Sequence, residues 1–475
     1  MTLFNNKIQT MKKTIFTLMS ASLLLSSCGI YSKYKPANEV PEQLYGEEMT
    51  VEAERWDATH ATADTLGLMD WRKLFTDPQL QELIEKGLQQ NTDYLTAQLR
   101  VKEAKAALLS AKLAYLPSFA LAPQGVVSSF DKMKATQTYS LPLTASWELD
   151  LFGRLRNAKR QSQAALAQTK DYQQATRAAI IAGIANTYYT LLMLDEQLEI
   201  TQQTEEAWSE TVRSARALMN AGRYNEAGVA QMEAAHMQVK SSVLDLKDKV
   251  NQVENSLALL LAETPRHYER GKLADQQLPS QFTIGVPVSL LAARPDVRAA
   301  ERALERAFYT TNAARSSFYP SITLSGSAGW TNSAGSMIFN PAKVVASAVG
   351  SLTQPLFAQG KLTAQLKIAK AQQEEAALAF QQTLLNAGVE VNEALTAWQT
   401  SREKSQLIAK QVEAQQRAYN STSLLMEHGS STYLEVLSSR QNYLSARLAQ
   451  TSNTFTEIQC LITLYQALGG GVEVE

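Results

Sequence analysis

The sequence predicts an α+β chain, mainly α, in which one large unit of about 200 residues occurs twice. Three observations carry this. First, three blocks recur in one order: AYLPSFAL (114–121) as SFYPSITL (317–324), WELDLFGRLRNA (147–158) as LTQPLFAQGKLTA (352–364), and ALMNAGRYNEAGVAQMEAAHMQV (217–239) as LLMEHGSSTYLEVLSSRQNYLSA (424–446). Pro117 falls on Pro320 at an offset of 203, and Gly153 on Gly360 and Gly222 on Gly429 at 207. Second, the 13 prolines leave 143–264 and 356–475 untouched, which permits long helices there. Third, the residues that follow Pro117 and Pro320 change from helical period to period two. The offset is far too long for a solenoid, whose repeats run to about 20–50 residues.

The N-terminus comes first. Lys12 and Lys13 precede the apolar run 14–25, and Ser26-Ser27-Cys28 follows. A basic start, a short apolar run and small residues before a cut describe an export signal, more typical if translation begins at Met11. The ending Leu25-Ser26-Ser27-Cys28 resembles a lipoprotein box, in which the cysteine becomes a lipidated N-terminus; an ordinary signal peptide with a chance cysteine is the alternative. With Cys28 lipidated, Cys460 is the only other cysteine and reads as a small hydrophobe on a helix face. A net charge of −1 gives no global field to favour nucleic acid. No later segment approaches 18 uninterrupted apolar residues, so no transmembrane helix is expected.

Strands come next. Tyr139, Leu141, Leu143, Ala145 and Trp147 alternate with Thr138, Ser140, Pro142, Thr144 and Ser146, and Ile322, Leu324, Gly326, Ala328 and Trp330 alternate with Ser, Thr and Gly. One face is apolar, the other rich in hydroxyls, as a barrel strand between lipid and water requires. A soluble sandwich could show the same pattern. Each repeat is expected to supply two strands, 118–128 with 137–147 and 321–331 with 343–354. Four strands cannot close a membrane barrel, for which about 8 is the minimum, and an open edge in lipid leaves backbone groups unpaired. Strands in a membrane therefore require oligomerisation; three copies give 12.

Each long proline-free stretch is divided by a glycine. Residues 154–219 would form a helix of about 100 Å and 226–262 a return arm of about 55 Å. The second repeat matches them with 361–426 and 432–468. Leu362, Leu366, Ala369, Gln373, Ala376, Phe380, Thr383 and Ala387 step by four and three, a heptad seam of mostly small residues. A soluble antiparallel coiled coil is the plainer alternative for the helices alone. In RPDVRAAE (294–301), Pro295 and Asp296 suit a helix start.

The paired repeat, the YLPS and FYPS turns, WELDLFGR, QPLFAQGK and RPDVRAAE resemble the TolC-like outer-membrane efflux channels. The lipidated start is most similar to the OprM/NodT-type lipoprotein branch. The resemblance covers 70–470 and implies a homotrimer: a 12-stranded outer-membrane β-barrel continuous with a periplasmic α-helical barrel. It divides the chain into a signal peptide (1–27), a lipidated segment and equatorial region (28–70), a first repeat (71–264), an inter-repeat equatorial insert (265–290), a second repeat (291–468) and a tail (469–475). It also implies a periplasmic adaptor, an inner-membrane RND-type transporter and a passive exit duct for small molecules, with no cofactor beyond the acyl groups on Cys28. A duct for type I protein secretion is the first alternative, and a periplasmic coiled-coil scaffold without a pore the second.

The family's gate lies where the long arms turn, at Gly222 and Gly429. There an acidic pair lines the constriction: Glu435 falls on its first position, but Ser438 occupies the second. The basic residue that helps lock the gate falls near Ser431. Arg440 is one residue out of register with the arginine of the OprM-like branch. Arg223 and Glu226 sit at the equivalent tip of the first repeat. Three Glu435 side chains around a pore would concentrate cations; a solvated helix-turn surface is the plainer alternative for all five. The offset of 207 places Gly228 opposite Glu435, so the repeats differ there. Catalysis finds no support, because His60, His236, His267 and His428 are scattered, with no HExxH, phosphate loop or nucleophile elbow.

Overall fold

The computed structural model describes residues 33–35, 66–129, 131, 135–276, 294–331, 344–428 and 430–471. The signal segment, Cys28, His60, Gly429 and most of the 265–290 insert lie outside the described residues. Helices α1 (Trp71–Leu74), α2 (Pro78–Gln90) and α3 (Thr92–Leu113) lead into strands β1 (Ser118–Leu121), β2 (Gln124–Ser128) and β3 (Thr136–Leu149). The long α4 (Arg154–Asn220) and its return α5 (Glu226–Leu260) follow. The second copy repeats the order with α6 (Pro295–Ser316), β4 (Ser321–Thr331), β5 (Val344–Thr353), α7 (Lys361–Glu427) and α8 (Tyr433–Ala467). Both long helices contain 67 residues and both returns 35, so the duplication holds at the level of helix length.

The chain divides into two compact units that cut across the repeats. One holds 100–170 and 299–381, and with them every strand among the described residues. All pairs in its sheet are antiparallel, and the repeats join where β3 meets β4 over ten register pairs, from Ser140 with Thr331 to Leu149 with Ile322. The strand expected at 118–128 is two strands, β1 and β2, both pairing with β3. The cause is two prolines in facing strands. Pro142, opposite Ala122, has no N–H to return to it, and Pro123 fixes its own φ and constrains Ala122 before it, so only the Ala122 N–H bond to the Pro142 carbonyl, 3.1 Å, bridges the gap.

The seam on α7 is realised as read. Leu362, Leu366, Gln373, Ala376 and Thr383 are half-buried, and Ala369, Phe380 and Ala387 buried, while most positions between them are exposed. Small seam residues bring backbones close enough for the Thr311 hydroxyl of α6 to donate to the Ala369 carbonyl at 3.0 Å.

The other unit holds 66–99, 171–276, 294–298 and 382–471 among the described residues. Its core surrounds the middle of α4, where Ile181, Ile184, Tyr188, Tyr189 and Leu191 are buried. Trp71, Phe75 and Tyr465 are buried there too, with Phe75 edge-on to Tyr465 at 6.4 Å. The Tyr188 hydroxyl donates to Asp77 Oδ2 at 2.7 Å and accepts from the Gly271 N–H at 3.1 Å. One side chain thus ties the N-terminal helices to the segment after α5. An 18-residue window of α4 has a mean hydropathy of 1.3 without being an unbroken apolar run; 56% of it is buried, the composition of a core helix. Pro295 opens α6, and Arg294 before it pairs with Asp296 at 2.7 Å and Glu390 at 2.6 Å.

Candidate functional site, a two-faced sheet and a helix-turn tip

The register assigns every strand residue to a face. Leu141, Leu143, Ala145, Trp147 and Leu149 stand opposite Trp330, Ala328, Gly326, Leu324 and Ile322. These in turn face Val344, Ala346, Ala348, Gly350 and Leu352 of β5. The opposite face carries Ser140, Thr144, Ser146, Thr323, Ser325, Ser327, Ser347 and Ser351. The period-two pattern has therefore become one continuous apolar surface backed by a hydroxyl-rich surface, which the row Pro142, Gly329 and Val345 and the side chain of Val349 interrupt. The apolar side is uncovered in the single chain: Phe119 is 68% exposed and Leu352 67%. Several hydroxyls on the other face find partners within the sheet, Ser327 with Ser347 at 2.9 Å and Thr144 with the Ala120 carbonyl at 3.0 Å. At the helix end of the apolar face the Trp147 indole N–H donates to the Tyr115 carbonyl at 2.9 Å. Among the described residues the outer strands, β5 on one side and β1 with β2 on the other, are each paired along one edge only.

The tip is built from the ends of α4 and α7 and the starts of α5 and α8. Gly222, at φ +67°, makes the first turn in a conformation that glycine adopts without strain. Asn225 then caps α5 by accepting from the Gly228 N–H at 2.7 Å. In the second repeat Glu435 serves the equivalent start, its carboxylate accepting from the Thr432 N–H at 3.2 Å and from the Ser431 hydroxyl in a capping box. The Ser431 and Thr432 hydrogen bonds hold its carboxyl below the ordinary value of 4.5, so it stays ionised. It remains exposed, as do Ser438, Arg223 and Glu226.

Arg440 differs. Its guanidinium lies 4.8 Å from the Trp208 ring centre and 5.6 Å from that of Tyr419, and donates to the Thr211 hydroxyl at 3.1 Å. It links α8 to both long helices, and burial lowers its affinity for the proton. Beside it Trp208, Val212, Ala215, Val229 and Met232 form a small core, with Tyr224 and Tyr433 edge-on at 6.1 Å. His236 meets Glu205 at 2.6 Å across α4 and α5. Trp208 and Tyr419 belong to this site and had no sequence signal, since they lie far apart in the chain and outside the turn motifs. Cys460 carries a free thiol, half-buried on α8. Among the described residues no three side chains gather that could hold a metal ion.

Comparison with known proteins gives the same picture. The family model for outer membrane efflux proteins matches residues 83–263 and again 286–470, as a duplicated unit should. The cation efflux system protein CusC of Escherichia coli is 28% identical over 464 residues, spanning 95% of this chain and 97% of its own. The antibiotic efflux pump outer membrane protein ArpC of Pseudomonas putida is 27% identical, spanning 97% and 96%. Among solved structures, the open state of the MtrE outer membrane channel of Neisseria gonorrhoeae aligns with a TM-score of 0.80 at 27% identity, over 93% of this chain and 97% of that one.

Proposed function

Since the chain belongs to the outer membrane efflux protein family, we propose that three copies form a passive exit duct fed by an inner-membrane RND-type transporter through a periplasmic adaptor. The observation that carries this is the two-faced sheet with two free edges. Its apolar face suits lipid and its hydroxyl-rich face water, yet with β1 and β2 in line along β3 the sheet is only four strands wide and cannot close, and free edges in lipid cost several kcal/mol per unpaired group. Three sheets joined β5 to β1 and β2 would close a 12-stranded barrel, with the long helices walling the conduit below. Exposed apolar residues on α3 (Leu95, Leu99, Leu109, Leu113) and on α7 (Ile368, Leu378, Leu385, Val389) support contact between copies.

The family consists of ducts rather than enzymes, and energy would come from the pump. The relatives are named for cations, antibiotics and toluene at similar identity, which supports a conduit that selects little. Lipidation at Cys28 would add a second anchor beside the sheet. The test is purified full-length protein in planar bilayers alongside its mass by light scattering. A trimer with stepwise conductance is expected; a carbonate-soluble protein without conductance would refute the duct.

A further inference from the structure

Where the sheet gives way to α4, the chain builds a basic cleft of about 470 Å³ lined by Lys112, Tyr115, Arg156, Lys159, Arg160 and Gln163. Positions 156, 159, 160 and 163 share one face of the first turns of α4, and Lys112 joins them from the end of α3. No carboxylate lines the cleft. Two acids lie nearby: Asp150, whose charge reaches Tyr115, accepts the Leu155 and Arg156 N–H groups at 3.0 and 2.8 Å, capping α4, and Glu148 pairs with Arg154, while the Arg156 side chain hydrogen-bonds to Tyr115. Aromatic rings organise two of the cations, Lys159 lying 5.8 Å from the Tyr115 ring centre and Arg160 5.6 Å from that of Tyr309.

Its position gives the cleft meaning. Tyr115 is the residue whose carbonyl accepts from Trp147, the last tryptophan on the apolar face. The cleft therefore opens where the lipid-facing surface ends, at the level of an interfacial aromatic. Four cations at that depth match the phosphate of a headgroup whose acyl chains lie along the apolar strands above. The second repeat keeps only half of the arrangement: Lys112 and Arg160 fall on Arg315 and Lys367 at offsets of 203 and 207, while Arg156 and Lys159 become Thr363 and Leu366.

We propose that this cleft binds the phosphate of an anionic phospholipid at the periplasmic boundary of the outer membrane, one lipid per chain. Clusters of basic residues beside a membrane attract anionic lipid at about 1 kcal/mol per cation, so each cation removed weakens retention roughly fivefold. The test uses the full-length protein in nanodiscs of mixed phosphatidylglycerol and phosphatidylcholine, extracted into mild detergent and weighed by native mass spectrometry. Wild type should retain phosphatidylglycerol in preference to phosphatidylcholine. The Lys112→Gln, Lys159→Gln double variant should retain it roughly 30-fold less, while Lys367→Gln in the second repeat behaves as wild type. A parallel arm adds inorganic phosphate in lipid-free detergent. Binding there as tight as for phosphatidylglycerol overturns the lipid as source. Equal retention of both lipids by wild type, or undiminished retention by the double variant, overturns the site. A double variant that loses its wild-type oligomeric mass without losing lipid also overturns it, and assigns the cleft to contact between copies.

Discussion

Replacing Gly329 by alanine tests how the two repeats are joined. Pro142 turns its nitrogen and carbonyl towards β1, so Gly329 meets it from the other side in the narrow, non-hydrogen-bonded kind of pair. A methyl carbon on Gly329 would overlap the Leu141 carbonyl oxygen and lie 2.5 Å from Pro142 Cα. Both are backbone and cannot swing aside, so the strands must part by roughly 1 Å to reach ordinary contact. Overpacking of this kind costs about 1–3 kcal/mol, and each ladder hydrogen bond lost adds about 1 kcal/mol. The reduced freedom of the unfolded chain returns only about 0.4–1 kcal/mol. The net is about 2–3 kcal/mol. Two other glycines of the sheet provide the scale. At Gly326 the methyl would sit 3.3 Å from the Ser347 carbonyl oxygen, a smaller clash; at Gly350 it would meet only the flexible end of Leu324 at 3.4 Å. Urea unfolding in detergent should order the variants Gly350→Ala, Gly326→Ala, Gly329→Ala from near neutral to most destabilised. If Gly329→Ala unfolds within about 0.5 kcal/mol of Gly350→Ala, the close β3–β4 approach is not a constraint and the reasoning is wrong.

Further outcomes follow from the tip and the core. Glu435→Ala should lower cation preference in planar bilayers if the three carboxylates face the pore, and unchanged selectivity would remove Glu435 from the constriction. Because hydrogen bonding lowers its pKa, the capping contribution of Glu435 is full above 4.5 and lost as pH falls through the lowered value. Hydrogen exchange at the start of α8 should therefore quicken only in acid, and Glu435→Gln should abolish that dependence. Arg440→Lys keeps the charge but loses the planar stack on Trp208 and Tyr419. It should loosen α8 by about 1–2 kcal/mol, seen as faster exchange around 436–444 with the sheet unaffected. Tyr188→Phe leaves the Gly271 N–H without its acceptor and should cost about 1–2 kcal/mol in thermal unfolding; an unchanged midpoint would mean water replaces the hydroxyl.

Much of the fold was legible because its signals are local. Proline-free stretches and turn glycines located the long helices to within two residues at every end, since one proline or glycine decides a backbone conformation by itself. The α7 seam was legible for the same reason: period selects face. The break between β1 and β2 was not read, although Pro123 and Pro142 are plain in the sequence, because its effect depends on the register that sets Pro142 opposite Ala122, beside Pro123. The tip was half legible. Glu435 and the turns followed from motif register, but Arg440, named with the constriction although one residue out of register, is lodged between Trp208 and Tyr419.

The sequence by itself determined the doubled unit, the helix lengths, the two faces of β3 and β4 and the membership of an outer-membrane family. All of these follow from spacing and from side-chain character along one chain. Only the tertiary structure decided which residues meet across it: β3 against β4 as the seam between repeats, Arg440 between two long helices, and four cations gathered below the last tryptophan of the apolar face. Such meetings depend on register and packing between segments up to 232 residues apart, as Trp208 and Arg440 are, and no local pattern encodes them. The repeat is thus symmetric in its scaffold, while its chemistry differs between the copies at Gly228 against Glu435 and at Lys159 against Leu366.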